Sequence, residues 1–129
     1  MKVSHIRSQA VLALGTLLVT SVALGGCSAP QPPAEAPSII GVVTEVTAAE
    51  DGEGTLLVEA PEVSESGYDV AWVRVTTDTR VLEAAPDGAY VSVGTGDIEQ
   101  GLTVRVWFTG PVAESYPVQA VAGTIVITR

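Results

Sequence analysis

The chain has 129 residues, 6 of them basic and 15 acidic, a net charge of −9, one cysteine and one histidine. One thiol excludes an internal disulfide framework, and the length suits one small domain with a single core. Such acidity repels phosphate backbones and anionic lipid headgroups, and reads as a solvated surface rather than a site for a cationic ligand.

Met1 to Gln9 carries Lys2, His5 and Arg7 with no acid, and Ala10 to Leu24 is an apolar run of 15 residues broken only by Gly, Thr and Ser. The run is shorter than the ~20 residues a stable transmembrane helix needs, so the pattern is that of a secretory signal peptide. Its end, Leu24-Gly25-Gly26-Cys27, resembles a bacterial lipobox. Residues 1–26 are therefore expected to be a lipoprotein signal peptide. Cys27 would be the lipid attachment site, its acyl chains, such as palmitate, holding the protein on the extracytoplasmic face of the cell membrane. The alternative is a stray thiol in a plain signal peptide. Beyond residue 26, four arginines face 15 acids, a net of −11, and no lysine follows Lys2.

Residues 27–37 hold Pro30, Pro32, Pro33 and Pro37 with nothing apolar larger than Ala. This composition predicts an extended tether, a spacer of roughly 30 Å at ~3.1 Å per residue. Residues 38–129 follow as the folded domain.

There, β-branched residues dominate, turn residues recur at short intervals and no long 3.6-residue period is present, which predicts an all-β fold. The first strand is expected over 39–47, with Ile40, Val42 and Val46 on one face and a bend or bulge at Gly41. A turn over 48–54 leads to a second strand over 55–59, forming a hairpin. A polar loop over 60–67 precedes a third strand over 69–76, with Ala71, Val73 and Val75 inward and Trp72 and Arg74 outward. Thr77-Asp78-Thr79 turns the chain ahead of Val81-Leu82, and Pro86-Asp87-Gly88 turns it ahead of a short strand over 90–93. Asp97 to Gly101 carries the signature of a single helical turn. The next strand, over 102–109, places Leu102, Val104, Val106 and Phe108 opposite Thr103, Arg105, Trp107 and Thr109, and Gly110-Pro111 ends it. A rigid loop over 114–117 and a last strand over 124–128, with Ile125 and Ile127 on one face, complete the domain. Five principal strands with a helical turn before the fourth match a small OB-fold-like barrel of five to six strands.

The run Val104-Arg105-Val106-Trp107-Phe108-Thr109-Gly110-Pro111, followed by Glu114-Ser115-Tyr116-Pro117-Val118-Gln119-Ala120, resembles the YobA-like family, small exported bacterial proteins of unknown function. Gly41 to Val46, Leu56 to Glu59 and Thr77-Asp78-Thr79 extend the resemblance over most of residues 39–128. It implies a compact OB-like barrel in a secreted protein or lipoprotein, and no activity or catalytic residue.

The chemistry missing from the domain narrows its function. His5 departs with the leader, so no imidazole remains for a triad, for general base catalysis near neutral pH or for zinc. Without Lys or a second Cys, Schiff-base and thiolate mechanisms are closed as well. The acids Glu50, Asp51, Glu53, Glu62, Glu65 and Asp69 sit in short loops of a barrel too small for a glycosidase cleft, their spacing does not match an EF-hand, and they read as solvated turns. No catalytic residue, metal or cofactor is expected, and no nucleic-acid binding. Arg105, Trp107, Glu114 and Tyr116 are the candidate binding surface, an aromatic beside an arginine and a proline-fixed loop; the bland reading is that the aromatics cover an open barrel end. The expectation is a membrane-anchored envelope lipoprotein whose barrel is a binding or accessory module for a protein, peptide or glycan. The alternative is a structural or assembly component without a ligand pocket. A concave patch joining Trp107 and Tyr116 would favour the first, and an edge strand free to pair with a copy of itself the second.

Overall fold

The structure, a computed structural model, describes residues 29–48, 51–61 and 67–129. The leader and Cys27, with Glu50, Glu62 and Glu65, lie outside the described residues. Seven strands form, β1 (Ile39–Ala48), β2 (Gly54–Glu59), β3 (Val70–Val75), β4 (Arg80–Ala84), β5 (Tyr90–Ser92), β6 (Thr103–Ala113) and β7 (Val118–Thr128), with one 3-10 turn at Thr95–Asp97. Antiparallel pairing joins β3 to β2, β2 to β1, β1 to β6 and β6 to β7, and a parallel ladder between β3 and β7 closes the ring. This is the closed five-stranded barrel of the OB-fold. β4 and β5 extend the sheet beyond β7 as a further hairpin.

Alternation in β2 and β3 fills the interior as expected: Leu56, Val58, Ala71, Val73 and Val75 are all buried. β1 is a correction. Ile39, Gly41 and Val43 point inward, and Ile40 is 43% exposed. Gly41 is inside because a Cβ there would lie 2.5 Å from the Glu59 carbonyl oxygen. The register then shifts between Val43 and Glu45, a bulge that returns Val46 to the core side. The Val43 N–H and C=O face away from β2 and extend the β1–β6 pairing, donating to Leu102 O (2.9 Å) and accepting from Gly101 N (2.7 Å). That pins the loop carrying Ile98, which is 4% exposed and packs into the core. The helical turn itself falls at Thr95–Asp97, two residues earlier than its sequence signature, and Ile98 is already extended.

β6 and β7 are longer than expected, because two irregularities hide their alternation. Between Trp107↔Thr124 and Phe108↔Ala122, β7 spends one more residue than β6, leaving Gly123 unpaired. Inward positions on β7 accordingly switch from Ala120 and Ala122 to Ile125 and Ile127. Between Thr109 and Ala113, β6 carries two surplus residues, so Gly110-Pro111 interrupts the ladder without ending the strand. Along the other edge of β7, the chain passes from β3 to β4 with three surplus residues, and Thr79 bridges the break by donating its Oγ1–H to Ala122 O (2.8 Å) and accepting from Thr76 N (2.9 Å).

A second, smaller cluster lies outside the barrel, where Leu82, Trp107 and Val126 are buried and Ala84 and Tyr90 pack against them. The proline-rich segment covers it. Ser38 continues the pairing of β1, donating its N–H to Val106 O (2.8 Å) and accepting at Oγ from Phe108 N (2.9 Å). Glu35 O then accepts from the Trp107 indole N–H at 2.9 Å, and Gln31 O accepts from the Arg80 guanidinium. Trp107, Thr124 and Arg80 form one cross-strand row over β6, β7 and β4, and the segment runs across it as a strap. The segment thus meets the barrel at Gln31, Glu35 and Ser38.

Candidate functional site

Regular alternation along β6 places Arg105 and Trp107 on its outer face while Val104 and Val106 enter the core. Arg105 and Trp107 are together: the guanidinium carbon lies 5.8 Å from the Trp107 ring and 6.0 Å from the Tyr90 ring, and Nη2 donates to the Tyr90 hydroxyl at 3.2 Å. Trp107 is only 6% exposed. With its N–H held by the strap and its ring by Leu82 and Val126, it offers no stacking face to solvent.

Glu114 and Tyr116 sit in the β6–β7 connection, both exposed, with Tyr116 at 75%. The Tyr116 hydroxyl donates to Asp69 Oδ2 at 3.3 Å, and Asp69 Oδ1 accepts from Val70 N at 2.9 Å. The neighbouring Asp69 charge raises the Tyr116 pKa above its ordinary 10.0, because a phenolate would face a carboxylate. The four candidate residues therefore fall into two groups, a closed Arg105–Trp107 stack and an exposed Glu114–Tyr116 loop tied to β3. In the first the indole is buried, and in the second Glu114 and Tyr116 are open to solvent.

Another surface comes from the other irregularity of β6. The surplus residues after Thr109 carry Pro111 outward, where it forms one wall of a groove of about 310 Å³ floored by Trp72 and Arg74 of β3 and Gln119 of β7. The alternation of β3 marks Trp72 and Arg74 as outward. Pro111 and Gln119 carry no such signal, since both precede the stretch of β7 that alternates simply. Among the described residues, no three His, Cys, Asp or Glu side chains gather where a metal ion would be held.

No curated protein and no solved structure matches the chain. A family model does match, over residues 43–128, from the centre of β1 to the end of β7. The barrel is therefore a small β-barrel domain of unknown function, and the chain belongs to the family described as "Protein of unknown function (DUF3221)".

Proposed function

We propose that the protein is a cell-envelope lipoprotein, anchored through Cys27 on the extracytoplasmic face of the membrane, whose barrel is a binding or accessory module for a protein, peptide or glycan, and that within its family it is YobA-like. The observation that carries the anchor is Leu24-Gly25-Gly26-Cys27 at the end of an apolar leader. Support for a module comes from the packing: aliphatic side chains fill the barrel, so contacts with a partner fall on its outer surface, where Tyr116 and the Pro111 groove are open. The chain holds no histidine after His5 and no lysine after Lys2, which weighs toward binding and against catalysis.

Cys27→Ala tests the anchor. The variant should lose processing and leave the lipid-modified membrane fraction; a variant that fractionates with membranes, fully processed, as well as the parent does would refute lipidation. An assembly component is the second reading, favoured by β5, which among the described residues pairs with β4 alone and exposes Val91 to 53%. At three residues that edge has the short length by which sheets blunt edge pairing, so the binding module is preferred.

A further inference from the structure

We propose that the groove between β3 and the Pro111 bend takes a carboxylate-bearing sugar ring, an acidic unit of a glycan, with Trp72 as its platform and Arg74 as its counter-ion. This rests on the reading of the barrel as a binding module and is independent of the lipid anchor. Three observations lead to it.

Arg74 is, among the described residues, the one arginine without a partner. Arg80 is held by Gln31, Arg105 by Tyr90 and Trp107, and Arg129 by Glu83. In a chain whose acids outnumber its bases 15 to 6, a cation left unpaired stands out, and among the described residues no carboxylate lines its groove. A single guanidinium neutralises one carboxylate and matches its two oxygens. A phosphate dianion would leave surplus negative charge in an already acidic field.

Recognition here runs through side chains. Over 71–74, β3 is hydrogen-bonded to β2 on one side and to β7 on the other, so no free edge remains for an extended peptide to join the sheet. What the face does present is a half-buried indole, an amide at Gln119 and a hydroxyl at Thr55. That set suits the apolar face and the hydroxyls of a sugar.

The spacing also fits. Trp72 and Arg74 are alternate residues on one face, about 6.6 Å apart along the strand, so a pyranose seated on the indole brings a ring carboxylate within reach of the guanidinium. The volume of about 310 Å³ is at the small end for ligand sites and suits one ring of a longer chain.

The test uses the full chain in detergent micelles, titrated with a glucuronic-acid trisaccharide, with the methyl ester of that trisaccharide, and with a tripeptide bearing a free C-terminal carboxylate, read by ligand-observed saturation-transfer NMR and calorimetry. The acid should bind saturably and the ester roughly tenfold or more weakly, the scale of a lost charge-assisted pair. Arg74→Gln should reduce the acid to the level of the ester, and Trp72→Leu should abolish both. Arg129→Gln, which removes a positive charge elsewhere, should leave binding unchanged. Thermal melts should show all three variants folded, since the substituted side chains are on the outer surface. Equal binding of acid and ester, equal losses in Arg74→Gln and Arg129→Gln, preference for the tripeptide, or no binding of the acid would each overturn the proposal. A ligand found instead on the Glu114–Tyr116 loop would leave the module standing and this site refuted.

Discussion

Replacing Trp107 by alanine separates a structural tryptophan from a binding one. A buried tryptophan side chain withdraws about 200 Å² from water, worth up to about 5 kcal/mol at 25 cal/mol per Å². Among the described residues the cluster around it has only Leu82 and Val126 as fully buried neighbours, so part of the vacated space can close, which brings the cost to about 3 kcal/mol. The indole N–H bond to Glu35 O adds less than about 1 kcal/mol, because Glu35 is exposed and its carbonyl can return to water. A loss of about 3–4 kcal/mol is a large part of the 5–15 kcal/mol that holds a domain folded, and lowers the melting temperature by about 15–25 °C for a chain of this size. Circular dichroism melts of the full chain in mild detergent measure it, with hydrogen exchange at the Phe108 amide, whose acceptor is Ser38 Oγ, reporting the strap. Trp107→Phe should lose about 1 kcal/mol and faster exchange at Phe108 should accompany it. An alanine variant that melts within a few degrees of the parent would refute the packing described here and return Trp107 to the candidate binding surface.

Gly41→Ala should destabilise the barrel by about 2 kcal/mol or more, because the new Cβ meets backbone atoms of Glu59 at 2.5 and 2.7 Å; an unchanged urea midpoint would show that β1 and β2 are not so close. Tyr116 should ionise above 10.0 by ultraviolet titration and move down in Asp69→Asn; its contribution to stability is present below the ordinary value and lost as the pH rises through the raised one. A phenol that titrates identically in both proteins would break the Tyr116–Asp69 contact. Residues 38–129 should fold as a monomeric β domain yet melt below residues 29–129 by the equivalent of about 1–2 kcal/mol, since the shorter piece lacks the acceptors of Gln31 and Glu35; equal melting temperatures would mean that the strap contributes nothing.

Where each apolar residue alternates with a polar or outward one, the fold is legible in the sequence, and β3 with Ala71, Val73 and Val75 is the clearest case. Ile39-Ile40-Gly41-Val42-Val43 defeats that reading, since either parity gives an apolar face, and the choice is made by the close approach of Glu59, 18 residues away. β7 defeats it differently. One unpaired glycine, Gly123, reverses which residues face inward, so its two halves do not read as one strand. The candidate site was legible in composition more than in geometry. Trp107 does lie on the outer face of β6, but what covers it comes from 72 positions earlier in the chain, and proline content announces an extended backbone without saying where it rests. Pro111 reads as a strand terminator because proline lacks a ladder donor; the surplus residues around it let the strand resume.

The strap also sets how far the barrel can travel. Under the proposed anchoring at Cys27, a free segment of ten residues would let the domain sweep a hemisphere of about 30 Å radius above the bilayer. With Gln31 fastened to Arg80, four residues remain, at most about 12 Å of leash. The search volume shrinks roughly 15-fold, which raises the effective concentration for a partner in the plane of the membrane by the same factor and puts a partner deeper in the envelope out of range. Releasing the strap would trade one population of partners for the other, so the Arg80–Gln31 contact governs reach while the Trp107–Glu35 bond adds to stability.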